Sequence, residues 1–372
     1  MMVLGAGGAA IALSACDTMP ASAVAPWSGP HSDEPDPRLR ALSWAMLAPN
    51  PHNLQSWLAD IREPGLIKLH VDLKRLLPQT DPPNRQILIG CGAFLELLRM
   101  AASHEGWRAE IELFPEGEYG SAGVDARPFA RVRMVRDPAI VPDPLFSAVP
   151  LRRTNRLPYE AKVPDENTLN SLASAAKQSG VTLVTTTAVE KVQRIRDMAI
   201  EGYRVEFTNQ VTWNESADAV RLGAQAVAAE PSGIAALGTG VWWGRTLGLL
   251  SPSSLRNTDG MAAHRALKES IDAADNTHAW IWLVSADNSR RTQIETGRAY
   301  LRTDLTAAAL GLAIQPNSQV LQEFTEMRQL YENFHREVGV TAPSRVQMLA
   351  RIGYATRPNP APRRAVASVV RA

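Results

Sequence analysis

Apolar and polar positions alternate with two different periods along this chain. At residues 66–73, Ile67, Leu69, Val71 and Leu73 alternate with Lys68, His70 and Asp72, the period of a half-buried strand. Residues 107–113 repeat the pattern with Trp107, Ala109, Ile111 and Leu113, and residues 129–136 form a third strand with arginines on its polar face. Between them Ile87, Cys91, Leu95, Leu98 and Ala102 recur at steps of four and three, one apolar face of a helix that Gly106 is placed to end. Cys91 falls on that face and reads as a buried small residue. The spacing predicts further helices over 38–48, 166–178, 189–207, 291–312 and 321–338, and strands over 181–187 and 346–354. The unbroken apolar run 278–286 is a central strand. Residues 213–254 are the least regular. Gly233, Gly238, Gly240, Gly244 and Gly248 surround Trp242 and Trp243, as a cover over a pocket or as a packed irregular loop. The order strand, Asp/Arg-containing turn, apolar helix, glycine occurs at 66–106 and again at 278–311, which reads as an internal duplication.

The balance of Lys+Arg 39 against Asp+Glu 38 gives no electrostatic case for nucleic acid. A length of 372 residues suits two domains or one large one. Cys16 and Cys91 allow one disulfide at most and no cysteine-based metal site. Residues 1–16 form a short apolar run like the core of an export signal, and its ending Leu13-Ser14-Ala15-Cys16 resembles a bacterial lipobox. On that reading the protein is exported to the periplasm or cell envelope. A lipidated Cys16 is its only membrane link, and an upstream arginine pair would make the signal a twin-arginine one. Residues 17–37, rich in Pro, Ala, Ser and Asp, read as a disordered tether. Residues 142–150 read as a linker, 357–364 as an irregular arm and 365–372 as a tail.

Two stretches carry chemistry. Residues 48–57 read A-P-N-P-H-N-L-Q-S-W. Two prolines in three residues end a helix, and Asn50, His52, Asn53 and Gln55 then sit on a rigid turn. Such a turn suits a ring with several heteroatoms on its edge; asparagines also simply form turns. Residues 151–159 read L-R-R-T-N-R-L-P-Y. Guanidinium forks beside a hydroxyl and an amide suit a phosphate, and a solvated basic loop would look the same. A hydrolase would need a nucleophile elbow or a metal box, and neither G-x-S-x-G nor H-E-x-x-H occurs.

Together, residues 48–57, L-R-R-T-N-R at 151–156 and R-I-G-Y-A-T-R-P-N-P-A-P-R-R at 351–364 resemble the FMN-dependent nitroreductase superfamily. The long form with an arginine motif in mid-chain resembles its Acg-like branch. The resemblance covers most of 38–364. It implies an α+β fold, with antiparallel-rich central sheets flanked by helices and two half-domains, 38–145 and 146–364. Ordinary members are homodimers with FMN at the subunit interface, so one chain carrying both motifs implies a fused pseudo-dimer, monomeric or further dimerised. Arg152, Arg153, Thr154 and Asn155 match the phosphate and ribityl motif. Pro49, Asn50, Asn53 and Gln55 match the flavin-facing turn, and Arg363 or Arg364 matches a C-terminal arginine that closes on the phosphate. Gln319 is placed with this cofactor-binding set. His52 and Ser56 depart from the family pattern. One complete set of motifs implies one FMN per chain. The activity implied is hydride transfer through flavin, from NADPH or NADH to a nitro, quinone or similar acceptor. The alternative is a protein that holds a covered FMN with little turnover.

Overall fold

The computed structural model describes residues 17–177 and 179–371. The export signal and Cys16 lie outside the described residues. The stretch read as a tether is instead built into the fold. It forms a short helix α1 (Ala21–Val24) and a 3-10 turn (Ala25–Ser28), and Asp17 is buried. Composition alone marks such a segment as coreless, but its partners are residues hundreds of positions away.

α2 (Pro37–Ala45) starts as the sequence demands, with Asp36 accepting from the Arg38 N–H and proline at the first turn. Two antiparallel strands follow, β1 (Trp57–Asp60) and β2 (Leu66–Val71), then α3 (Arg85–His104), β3 (Trp107–Leu113) and β4 (Pro128–Arg136). Residues 144–151, inside the expected linker, wind into a 3-10 helix. The second half repeats the order. α4 (Glu166–Lys177) leads into β5 (Thr182–Thr186), α5 (Val189–Thr208), and a long insertion. That insertion holds α6 (Gln210–Asp218), β6 (Val220–Leu222), α7 (Ala224–Ala229), β7 (Ile234–Ala236), α8 (Thr239–Thr246), α9 (Pro252–Leu255) and α10 (Met261–Asp275). Then come β8 (Trp280–Ser285), α11 (Arg290–Ala309), β9 (Ala313–Pro316), α12 (Arg328–Glu337) and β10 (Arg345–Gly353).

The sheets expose the duplication. One runs β11-β1-β2-β4-β3, where β11 is Val370–Arg371, and the other runs β5-β8-β10-β9. Apart from β11, and from the insertions between β5 and β8 and between β9 and β10, each is strand, strand, helix, strand, strand in the chain, with the same spatial order and antiparallel pairing throughout. The helices α3 and α11, each of 20 residues, pack against one another between the sheets. Their crossing is reciprocal. A Cβ on Gly92 would lie 2.0 Å from the Ile294 carbonyl oxygen, and one on Gly297 would lie 1.9 Å from that of Ile89. Each glycine meets the carbonyl three residues before its counterpart, as a two-fold relation between the halves requires. The expected tail is also structured: residues 366–368 form a 3-10 turn and β11 pairs in parallel with β1.

Candidate functional site

The turn at 48–57 leaves α2 at Met46 and lies against α3, where Gly90 keeps room for Pro51 and Asn50. His52, Asn53 and Gln55 all have positive φ, at 47°, 55° and 56°. Three non-glycine residues in the left-handed region within four positions persist only where surrounding contacts over-determine them. Those contacts are visible. Asn50 Oδ1 accepts from the Gln55 N–H at 2.8 Å and its Nδ2 donates to the Ala48 carbonyl at 3.1 Å. Asn53 Nδ2 donates to the Gly233 and Pro362 carbonyls, both at 3.0 Å, and its Oδ1 accepts from the Arg363 guanidinium. Gln55 Oε1 accepts from the Arg364 N–H at 2.8 Å, and its Nε2 donates to the Pro231 carbonyl at 3.0 Å. Pro49 is buried behind the turn.

These amides were expected to offer their edges to a ring. Instead they lace the turn to two other segments, the C-terminal arm and residues 231–233 of the insertion. The insertion is therefore a cover seated on the turn. Gly233 (φ +80°) makes that seat possible, because a Cβ there would lie 2.2 Å from the Ala219 carbonyl oxygen. The polar atom of the turn left open is His52 Nδ1, buried without a partner. Burial first, and the Arg156 charge second, push the His52 pKa down to about 4, so the imidazole is neutral at neutral pH.

The second motif enters from the other half. Thr154 bridges to Ile314, and the Asn155 N–H donates to the Ile314 carbonyl at 2.9 Å, which fixes the loop on the edge of β9. The Asn155 side chain is occupied locally, donating to Thr356 and accepting from Leu157. Arg152 and Arg153 are different. Arg152 is buried and pairs with Asp304 of α11 at 3.2 Å. Arg153 donates to the Pro150 and Arg152 carbonyls. Arg363, buried, comes from the arm to join them, with its Nη1 on Asn53 and on the Pro362 carbonyl. Trp27 covers all three, with guanidinium carbons 5.6 Å (Arg152), 4.2 Å (Arg153) and 5.3 Å (Arg363) from an indole ring centroid.

This cluster holds more positive charge than it pairs. The Nε of Arg152, Arg153 and Arg363 are all buried with no acceptor among the described residues. Burial, and then the neighbouring Arg152 and Arg357, push the Arg153 pKa down to about 10. Burial, then Arg152 and Arg153, hold that of Arg363 well below its ordinary value. An anion set among the three guanidiniums would relieve both effects. A phosphomonoester fits this donor set, and the orphaned Nε groups are the observation that says so.

Arg364, the other candidate of the arm, turns away. It donates to the Gln55 and Ser368 carbonyls and faces Asp72 at 4.0 Å. Gln319 packs on Gly202 of α5, away from Arg363 and its partners, with its Oε1 buried and without a hydrogen-bond partner among the described residues. The structure thus gathers Arg152, Arg153, Arg363 and Asn53, sets Asn50, Gln55, Thr154 and Asn155 as their supports, and leaves Arg364 and Gln319 outside.

Arg156 is solvent-exposed, and burial of its guanidinium among protein atoms holds its pKa below the ordinary value. Tyr159, Tyr203 and Tyr300 lie near enough to act on its charge. Arg156 was legible as the third arginine of its motif. Trp27 and Asp304 carried no signal of their own.

Asp304 gives a pH prediction. Burial, opposed by Arg152, pushes its pKa up from 3.8 to about 6. The folded chain therefore binds this proton more tightly than the unfolded chain does. Its contribution to stability is complete below about pH 4 and is lost as pH rises through about 6. In the flavin-free protein, wild type should lose stability relative to Asp304→Asn between pH 4 and 7. Denaturant unfolding at a series of pH values reads this; a difference constant across that range would refute the assignment.

No family model matches the chain. Among curated proteins, the Mycobacterium tuberculosis protein (strain H37Rv) provisionally named NAD(P)H nitroreductase Rv3131 is 27% identical over 340 residues, 88% of this chain and 89% of its own length. The protein provisionally named NAD(P)H nitroreductase acg, from the same strain, is 35% identical over 136 residues, 35% of this chain and 38% of its own length. Among solved structures, the FMN- and NADPH-dependent nitroreductase NfnB from sphigopyxis sp. strain HMH overlaps with a TM-score of 0.40 at 16% identity, over 61% of this chain and 97% of that one. That overlap is too loose to argue from. The resemblance carried by the motifs is thus matched in sequence across nearly the whole chain by Rv3131.

Proposed function

We propose that this relative of the Acg-like nitroreductases is a flavoprotein oxidoreductase that holds one FMN between its two halves. The observation that carries the reading is the group of three guanidiniums, those of Arg152 and Arg363 buried and that of Arg153 half-buried, each with a buried, unpaired Nε, assembled from the start of the second half and the C-terminal arm beside the turn of the first. Arg152, Arg153 and Arg363 would hold the phosphate. His52, close enough to Arg156 to feel its charge, and Arg156 itself would meet the rest of the cofactor. FMN, when bound, supplies the hydride chemistry, accepting from a nicotinamide donor and giving to a nitro, quinone or similar acceptor. The residues of the chain bind and orient it and exclude water.

The asymmetry of the halves supports one site per chain. Residues 46–56 stand between α2 and β1, whereas α4 ends at Lys177 and β5 starts at Thr182, too close in the chain to repeat the turn. The second reading, a flavin holder with little turnover, draws support from the cover: Pro231 and Gly233 are hydrogen-bonded onto the turn. An absorption spectrum of the purified protein, acid release of the chromophore and addition of NADPH separate the readings. An oxidoreductase yields about one FMN per chain and bleaches within seconds to minutes; a holder stays yellow. A colourless protein that takes up no added FMN would sink both.

A further inference from the structure

The segments that precede the first helix of each half converge on one place. Ahead of α4 stands L-R-R-T-N-R; ahead of α2 stands the stretch 17–29, which carries Trp27 onto those arginines. That stretch is pinned at both ends. At its start, the Asp17 carbonyl accepts from the Gly238 N–H at 3.1 Å, and its Oδ1 accepts from the Ala224 N–H at 2.7 Å. Both partners belong to the insertion that covers the turn. Further along, the Ala23 carbonyl accepts from the Arg363 N–H at 2.8 Å, and the Trp27 indole Nε1–H donates to the Ala361 carbonyl at 2.8 Å. The strap therefore runs from the cover, across the arginine cluster, to the C-terminal arm.

From this geometry we infer that residues 17–29 are the outer wall of the anion site, and that Trp27 is a positioning residue that retains the cofactor. The inference rests on the FMN reading above. The indole face does two things there. It lies over three like charges and offsets their repulsion through its quadrupole while the site is empty. It also keeps water from the guanidiniums, so that their bonds to a phosphate act in a medium of low dielectric. Removing it would leave the donors in place but wet, which speeds release more than it slows entry. Asp17 acts at a distance, by holding the strap down at its far end.

The test follows FMN release, not turnover. The flavin-loaded full chain is diluted, and the recovery of free-flavin fluorescence gives the release rate. Trp27→Ala should release FMN at least tenfold faster than wild type, and Trp27→Phe should recover most of the loss. Asp17→Ala, which removes the acceptor of the Ala224 N–H and touches none of the three cluster arginines, should also release faster, and it serves if Trp27→Ala fails to fold. Release rates within twofold of wild type in every variant that folds would overturn the strap while leaving the FMN site standing. A wild-type chain that never takes up FMN would overturn the functional reading and the strap with it.

Discussion

The double variant Arg152→Ala/Arg153→Ala is expected to purify without flavin. Each guanidinium would offer charge-assisted hydrogen bonds worth about 1.5–3 kcal/mol to a phosphate, so losing two sites weakens binding by about 3–6 kcal/mol, or roughly a hundred- to ten-thousand-fold. The fold should survive. The partner left behind in the core is Asp304, whose pKa stands near 6 beside Arg152 and rises further without it, so the loss favours the neutral carboxyl over an unpaired buried charge. Flavin content by absorbance and folding by circular dichroism are read on the same sample. Arg364→Ala is the matched control. Its guanidinium holds the Gln55 and Ser368 carbonyls, so it should lower stability and keep the flavin. A double variant that retains full flavin would show that the phosphate sits elsewhere.

Gly92→Ala should be among the most destabilising single changes in the chain, costing about 3 kcal/mol or more. A methyl at that position would sit 2.0 Å from the Ile294 carbonyl oxygen, and the obstacle is backbone of a 20-residue helix rather than a movable side chain. The two central helices would have to part, opening the core on both sides of their crossing. Gly297→Ala meets the mirror-image obstacle at Ile89 and should cost about as much. The pair should not be additive, because helices already displaced by the first methyl leave room for the second. Thermal unfolding checks this. A single variant melting within a degree of wild type would mean that the helices are not in this contact.

Local pattern made some parts of the molecule legible and was overridden in others. The strands and the two central helices follow their hydrophobic periods, and the repeated strand–helix order foretold the matching sheets. Residues 321–338 read as one helix, yet 3-10 turns at Gln319–Leu321 and Thr325–Met327 interrupt it before α12. The reason is tertiary. Arg85, at the head of α3, reaches across to the Leu321 carbonyl and to the Glu323 carboxylate at 2.7 Å, and Gln322 turns to Glu206 at 3.0 Å. Three successive residues facing two external partners leave no continuous helix. The amphipathic helix α10 went unread because the glycine-rich stretch before it reads as irregular. At the site, residue type located the motifs but not the direction of each side chain. Asn53 and Gln55 are in the expected turn, with their hydrogen-bonding groups committed to the chain itself. The strap was unreadable for a simpler reason: Trp27 gains meaning only from arginines more than a hundred residues away.

The pairing of β11 with β1 bears on how the protein is made. Ala59 pairs with Val370 and Asp60 with Arg371, so the edge of the first sheet is finished by residues made only after the whole second half. Until then β1 presents an open edge beside an already paired β2, the kind of surface on which nascent chains add to one another. The first half therefore cannot complete itself co-translationally. A chain without residues 370–371 would lose little core and yet keep that edge permanently open, a route to association during synthesis rather than to a visibly unfolded product.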